Sequence, residues 1–202
     1  MKEHKIAAAV LVGGFSVRMG FPKHTAQTPD GRTFLDRICD EIDSVYKSVL
    51  SGRYISSRSD QSVRRNGYTV VHDMYEAIGP VGGIASVLMS AKQEGFDAVL
   101  VLACDLVGYD RDEIINICKR YRKEDVLFAR TNKSDLQPLA SIYSVTAIPA
   151  CLSMIEDQDY RLRNIADHAG NIGYYDSIRK EAYVNCNTLD SCGAIHGKWR
   201  IT

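Results

Sequence analysis

The chain is short of most features that would commit it to disulfide staples, a membrane or a polyanion. Its 202 residues include one tryptophan, five prolines and six cysteines. The cysteines (Cys39, Cys104, Cys118, Cys151, Cys186 and Cys192) form no C-x-x-C pair and show no zinc spacing with the five histidines. Most fall in helical or strand patterns, where a cysteine serves as a small reduced hydrophobe. An excess of one charge is also missing. Lys plus Arg and Asp plus Glu are 25 each, so no global field draws the chain to nucleic acid or to an anionic membrane, and any anion site must be local. No apolar stretch approaches the roughly 20 residues that span a bilayer. The apolar run 6–12 ends in two glycines, not a cleavage-site pattern, and reads as a strand and not a signal peptide. A soluble, cytoplasmic protein is expected, and a domain of this size buries roughly 70% of its unfolded surface without staples.

What is present alternates. Strands are predicted at 6–12, 48–50, 68–71, 98–104, 126–129 and 139–144. Helices are predicted at 33–42, where Phe34, Leu35, Ile38 and Ile42 share a face, at 82–91 and at 112–121. Beyond Val145 the pattern weakens, with helices at 147–155 and 161–168 and short strands near 172–174 and 182–184. The run A-V-L-V-L-A-C at 98–104 has no polar alternation and belongs in a parallel sheet covered on both faces. The order predicts an α/β protein with a Rossmann-like, doubly wound, three-layer αβα fold and a mostly parallel central sheet. One domain over 1–202 is expected, with 1–144 binding nucleotide and 145–202 forming an acceptor-side, closing part. Ligands in such sheets bind beyond the carboxyl ends of the strands, here after Val12, Val71, Cys104 and Val184.

The unusual residues lie there. After the first strand comes Val12-Gly13-Gly14-Phe15-Ser16-Val17-Arg18-Met19-Gly20-Phe21-Pro22-Lys23. Glycines let main-chain N–H groups approach a ligand closely, successive N–H groups make a concave anion site, and Arg18 and Lys23 add two cations. That combination suits a triphosphate. Walker A is excluded because Gly20 is followed by Phe21, and the G-x-G-x-x-G fingerprint is absent because Gly13 and Gly14 are adjacent.

Asp105 ends the most apolar strand, five residues before Asp110, which is better placed to cap the next helix. A carboxylate at that edge can hold Mg²⁺, which prefers one or two carboxylates with substrate phosphates and water; a loop hydrogen bond is the plainer alternative. Asp73 follows another strand and could accept hydrogen bonds from guanine N–H groups or ribose hydroxyls, or simply shape a turn. Gly79, Pro80 and Gly82 open a helix whose backbone can lie against a flat ligand. Asn185 and Asn187, after the last predicted strand, are candidates for the acceptor or a second metal, though both also suit Asx turns. His24, His72 and His168 have no triad or metal spacing and read as structural. Arg161 and Arg163 fit a solvated helix start better than an acceptor contact.

Taken together, L-V-G-G-F-S-V-R-M-G-F-P-K, G-P-V-G-G-I at 79–84, L-A-C-D at 102–105, Q-P-L-A-S-I-Y at 137–143 and V-N-C-N-T-L-D at 184–190 resemble the molybdenum cofactor guanylyltransferases, which build the guanine dinucleotide form of molybdopterin. The resemblance spans nearly the whole chain. It implies GTP and a molybdopterin-type acceptor as substrates, Mg²⁺ as cofactor, and proteins that deliver the pterin as partners. Leu11, Val12, Gly13 and Lys23 would bind the nucleotide, Asp73 its guanosine part, and Asp105 both Mg²⁺ and phosphates. Ser51, after the second predicted strand, falls where that family often has an Asn near the base. Val12 stands where the family has Ala and is expected to narrow the loop.

The reaction expected is in-line attack by an acceptor phosphate oxygen on the α-phosphorus of GTP, with loss of pyrophosphate. Related transferases using CTP or GTP on another phosphate acceptor, and a nucleotide-binding regulator without catalysis, are the alternatives.

Overall fold

The computed structural model describes residues 4–13, 22–28, 30–75 and 78–186. Seven strands form one sheet: β1 (Ile6–Leu11), β2 (Gly52–Ser57), β3 (Thr69–His72), β4 (Ala98–Ala103), β5 (Val126–Asn132), β6 (Asp135–Ser144) and β7 (Ile172–Asp176). Their order is β3-β2-β1-β4-β6-β5-β7. β6 runs antiparallel to both its neighbours, and the other pairings are parallel. The expected mostly parallel α/β sheet is the one found.

Period-two alternation sorts the strand residues between two layers. On one face Ala8, Val10, Leu100 and Leu102 pack with α1 (Phe34–Val45) and α3 (Arg111–Arg120). On the other Ala7, Ala9, Val99 and Val101 pack with α2 (Pro80–Gln93) and α4 (Ile148–Glu156). Burying a side chain such as Leu, Ile or Val contributes roughly 1.5–3 kcal/mol, and these strands are buried on both faces, as an apolar run requires. The caps are local. Thr33 Oγ1 accepts the Asp36 N–H at 3.0 Å to start α1. Asp110 accepts N–H groups of Asp112 and Glu113 at the start of α3, the role expected of it. Among the described residues no helix is long and apolar enough to cross a membrane, and the five described cysteines are buried.

Three expectations are corrected. Residues 48–50 are a turn and not a strand; the second strand is Gly52–Ser57. The segment 161–168 is a 3-10 helix, Leu162–Asp167. Residues 182–184 carry no strand, and Lys180–Tyr183 is a 3-10 turn. β2 escapes a hydropathy reading because it opens on Gly52-Arg53 and closes on Ser56-Ser57. Each polar residue has a partner that replaces water. The Arg53 guanidinium stacks 3.8 Å from the Tyr46 ring, Ser56 Oγ bonds Asp73, and Ser57 Oγ meets His72 Nδ1 at 3.2 Å.

Gly52 is needed for space. A Cβ there would lie 2.9 Å from Phe96 Cε1 and 3.0 Å from the Ala7 Cβ. Gly→Ala in a strand ordinarily gains stability. Here overpacking wins, and Gly52→Ala is expected to lose about 1–3 kcal/mol in urea denaturation; a stabilised variant would show that the sheet yields at this point.

Candidate active site

β1 and β4 pair in register from Ile6↔Ala98 to Leu11↔Ala103, so the residues that follow them leave the sheet side by side. The Cys104 N–H reaches Leu11 O at 3.4 Å and the Val12 N–H reaches Ser56 O at 2.9 Å, which carries the strand pairing one residue past the sheet. At this rim lies a cavity of about 220 Å³. Leu11, Val12, Gly13, Lys23, Asp73, Gly79, Pro80 and Asp105, all expected from the sequence, line it.

Across the cavity mouth Lys23 Nζ donates to Asp105 Oδ2 at 2.8 Å. The two residues are 82 positions apart, and their side chains keep 27% and 11% of their surface exposed. Lys23 opens the 3-10 turn Lys23–Thr25 and there meets the carboxylate that follows β4. A cation on a flexible four-carbon stem can exchange one anion for another.

Asp73 is held on the opposite wall. Its N–H donates to Ser57 O at 2.9 Å, and its Oδ1 accepts from Ser56 Oγ at 2.6 Å. Gly13 and Gly83 make room for it. A Cβ on Gly13 would lie 3.1 Å from Asp73 Oδ2, and one on Gly83 2.7 Å from Ser56 Oγ and 3.1 Å from Asp73 Oδ1. Gly79 has φ +74° and sits just before Pro80, the first residue of α2, so the turn into that helix uses a conformation other residues rarely adopt. Gly82, also expected at the site, is buried and does not line the cavity; a Cβ there would meet Tyr75 O at 2.6 Å.

Other expectations fare differently. Ser51 precedes β2 and its N–H bonds Ile6 O at 2.8 Å, so it stands at the amino edge of the sheet, opposite the cavity. The misplaced strand boundary caused that error; the residues that reach the rim from β2 are Ser56 and then Arg58, and both line the cavity. Val12 was expected to narrow the loop, but its side chain is 4% exposed and joins the α1–α3 layer, so the extra methyl groups also fill core. Asn185 is exposed, and the next residue, Cys186, donates its N–H to Asp105 O at 3.0 Å. Gly14, Arg18 and Asn187 lie outside the described residues. Tyr75, Gly83, Ala103, Cys104 and Leu139 complete the lining; Gly83 belongs to the G-P-V-G-G-I motif, Ala103 and Cys104 to the end of the central strand, and Tyr75 and Leu139 gave no signal of their own. Burial pushes the Cys104 thiol up to about 12, which leaves it a poor nucleophile. Arg161 is exposed beside Asp159.

A profile describing a MobA-like NTP transferase domain matches residues 8–172. The chain belongs to this family. It is 28% identical over 174 residues to a probable molybdenum cofactor guanylyltransferase of Rhodopirellula baltica, covering 81% of each chain. The crystal structure of molybdopterin-guanine dinucleotide biosynthesis protein A from Archaeoglobus fulgidus superposes with a TM-score of 0.76 at 20% identity, covering 95% of this chain and 97% of that one. The structure of 4-diphosphocytidyl-2C-methyl-D-erythritolsynthase from Anaerococcus prevotii follows the same fold, with a TM-score of 0.69 at 11% identity and 96% coverage of both.

Within this family's fold Gly83 supplies a sharp test. Gly→Ala inside a helix normally gains up to about 1 kcal/mol. At Gly83 the new methyl group would press on the Ser56–Asp73 pair. Gly83→Ala is therefore expected to weaken nucleotide binding at least about tenfold, the equivalent of one displaced hydrogen bond, with little loss of melting temperature. Unchanged affinity in calorimetry would detach Asp73 from the nucleotide.

Proposed function

We propose that this chain transfers GMP from GTP to a molybdopterin-type cofactor, forming the guanine dinucleotide and releasing pyrophosphate. The observation that carries the reading is the Lys23–Asp105 pair at the mouth of the cavity, in a chain of the MobA-like family whose curated relative is called a guanylyltransferase.

A Mg²⁺ ion fits the donors present. Among the described residues no group of three or more His, Cys, Asp or Glu side chains stands ready to hold a metal. Asp105 would then be the protein carboxylate that holds the ion, with nucleotide phosphates and water as the other ligands, the set Mg²⁺ favours over an all-protein cage. When bound, the ion supplies positive charge to the phosphates. The chain's own residues do the rest. Lys23 turns from Asp105 to the phosphates, and the main chain at Val12–Gly13 lies along them. Arg18 is assigned to the same charge on its place in the motif. Asp73, oriented by Ser56, accepts from the N–H groups of guanine.

An oxygen of the acceptor phosphate forms the new bond to the α-phosphorus, and the bond from that phosphorus to the β-phosphate's bridging oxygen breaks. No side chain need act as base, because the attacking phosphate is ionised at neutral pH. Catalysis then consists of positioning and fixed electrostatics. Residues 145–202, including Asn185 and Asn187, are assigned to the acceptor side, and delivery of the pterin by a partner protein in the cytoplasm fits a cofactor of this kind.

Incubation with Mg²⁺, molybdopterin and each of the four NTPs in turn tests this. Pyrophosphate release and the dinucleotide mass are expected with GTP; release with CTP alone would transfer the chain to a cytidylyl reaction, and tight GTP binding without product would make it a regulator. Asp105→Asn is expected to lower kcat by about 10²- to 10³-fold. Asn keeps the size of the side chain and an acceptor oxygen for Lys23, so the variant should melt close to the parent. Full turnover in it would remove Asp105 from the mechanism.

A further inference from the structure

Glu113 is fully buried in the first turn of α3, among the apolar neighbours Ile114, Ile117 and Cys118. A buried carboxyl group is costly unless its partners justify it. Its partners come from the far end of the chain. Glu113 Oε2 accepts from Tyr183 Oη at 2.7 Å and from Tyr175 Oη at 3.2 Å, while Oε1 is buried with no hydrogen-bond partner among the described residues. Burial first, and Glu113 next, push Tyr175 up to about 12 and Tyr183 higher, so both phenols stay protonated donors at neutral pH.

The segment they anchor is tied down repeatedly. Arg179 pairs with Asp110, and Glu181 O lies where a Cβ on Gly108 would come within 2.9 Å. Tyr183 stacks edge-on against Tyr109 at 5.4 Å. Three residues after Tyr183, a span of at most roughly 10 Å, Cys186 reaches the active site. Its N–H bonds Asp105 O at 3.0 Å. Its side chain, fully buried, packs in a small cluster with Ala26, Val107 and Phe34, the first residue of α1. Ala26 follows the turn that carries Lys23, and Val107 follows Asp105 by two residues.

We infer that Glu113 is a positioning residue. It locks residues 175–186 through the two tyrosines, so that Cys186 is wedged between the segments bearing Lys23 and Asp105 and sets the geometry of that pair. This rests on reading Lys23 and Asp105 as the phosphate and metal groups.

The test uses the full chain and the variants Tyr183→Phe and Glu113→Ala, with Glu113→Gln as the conservative change. Loss of a hydrogen bond to a carboxyl group should speed amide exchange in the peptide spanning 184–186 by about tenfold or more, with Glu113→Gln intermediate. With GTP, Mg²⁺ and molybdopterin, kcat should fall about tenfold, as expected for a small misplacement of reacting groups. The Kd for GTP should stay within about threefold, because the cavity walls at 11–13 and 73–83 belong to other elements. Gly52→Ala serves as a control of comparable instability and should keep its kcat. Unchanged exchange at 184–186 in both Tyr183→Phe and Glu113→Ala overturns the lock. A kcat loss no greater than that of Gly52→Ala overturns the positioning role and makes Glu113 merely structural. Absence of transfer by the parent chain instead overturns the proposed reaction, and exchange alone then decides whether Glu113 holds the segment.

Discussion

The parallel pairing of β1 with β4 is the constraint on which the site depends. Because Leu11 lies opposite Ala103, both strands end level, and the turn that begins at Val12 emerges beside the one that carries Asp105. β2 and β3 add Ser56 and Asp73 to the same rim by the same rule, as each is parallel to its neighbour. β6 reaches the rim by the opposite route. It is antiparallel to β4, with Leu102 opposite Ala140, so its early residue Leu139 borders the cavity. A slip of one residue between β1 and β4 would turn Val10 and Leu100 to the wrong layer, so core packing and site geometry are enforced by the same side chains.

The two carboxylates of the cavity are kept near opposite partners. Asp105 faces a cation, whereas Asp73 is held by a hydroxyl and a main-chain bond. A carboxylate beside a mobile ammonium is suited to a site where phosphates and a metal arrive together, because the charges can exchange without either being stranded. A carboxylate that accepts from a fixed hydroxyl and whose own N–H is tied to the neighbouring strand keeps its direction. The glycines at 13 and 83 are spaced to leave Asp73 that room.

Much of this was legible in the sequence, and what was not has physical causes. The strand at 98–103 was plain because nothing polar interrupts it, and α1 because its apolar residues recur every three or four positions. Asp73 and Asp105 stood out because each follows a strand and has a plainer duty taken by another residue or none, and Lys23 because it closes the glycine-rich motif after the first strand. β2 was misjudged because its hydroxyls and guanidinium find partners, the Ser56–Asp73 bond among them, that hydropathy cannot register. Arg58 and Leu139 were hidden, since an arginine in a polar stretch and a leucine in a strand announce nothing until the rim is located. The segment 182–184 looked like a strand from its apolar residues, but Ala182 and Tyr183 are buried against α3 and not in the sheet.

That last difference bears on how the chain closes. After β7 pairs with β5 at the far edge, the backbone must return across β5 and β6 to reach the β4 rim, and it does so over α3 with no strand to guide it. Sheet hydrogen bonds cannot hold such a crossing, so side chains must. Apolar contacts alone would favour burial without fixing a direction, whereas a carboxyl group that takes two phenols, an arginine on Asp110 and an N–H on Asp105 O each allow only narrow geometry. The polar groups buried along α3 are therefore the means by which a segment outside the sheet is delivered to the sheet's active edge with the same registration as the strands themselves.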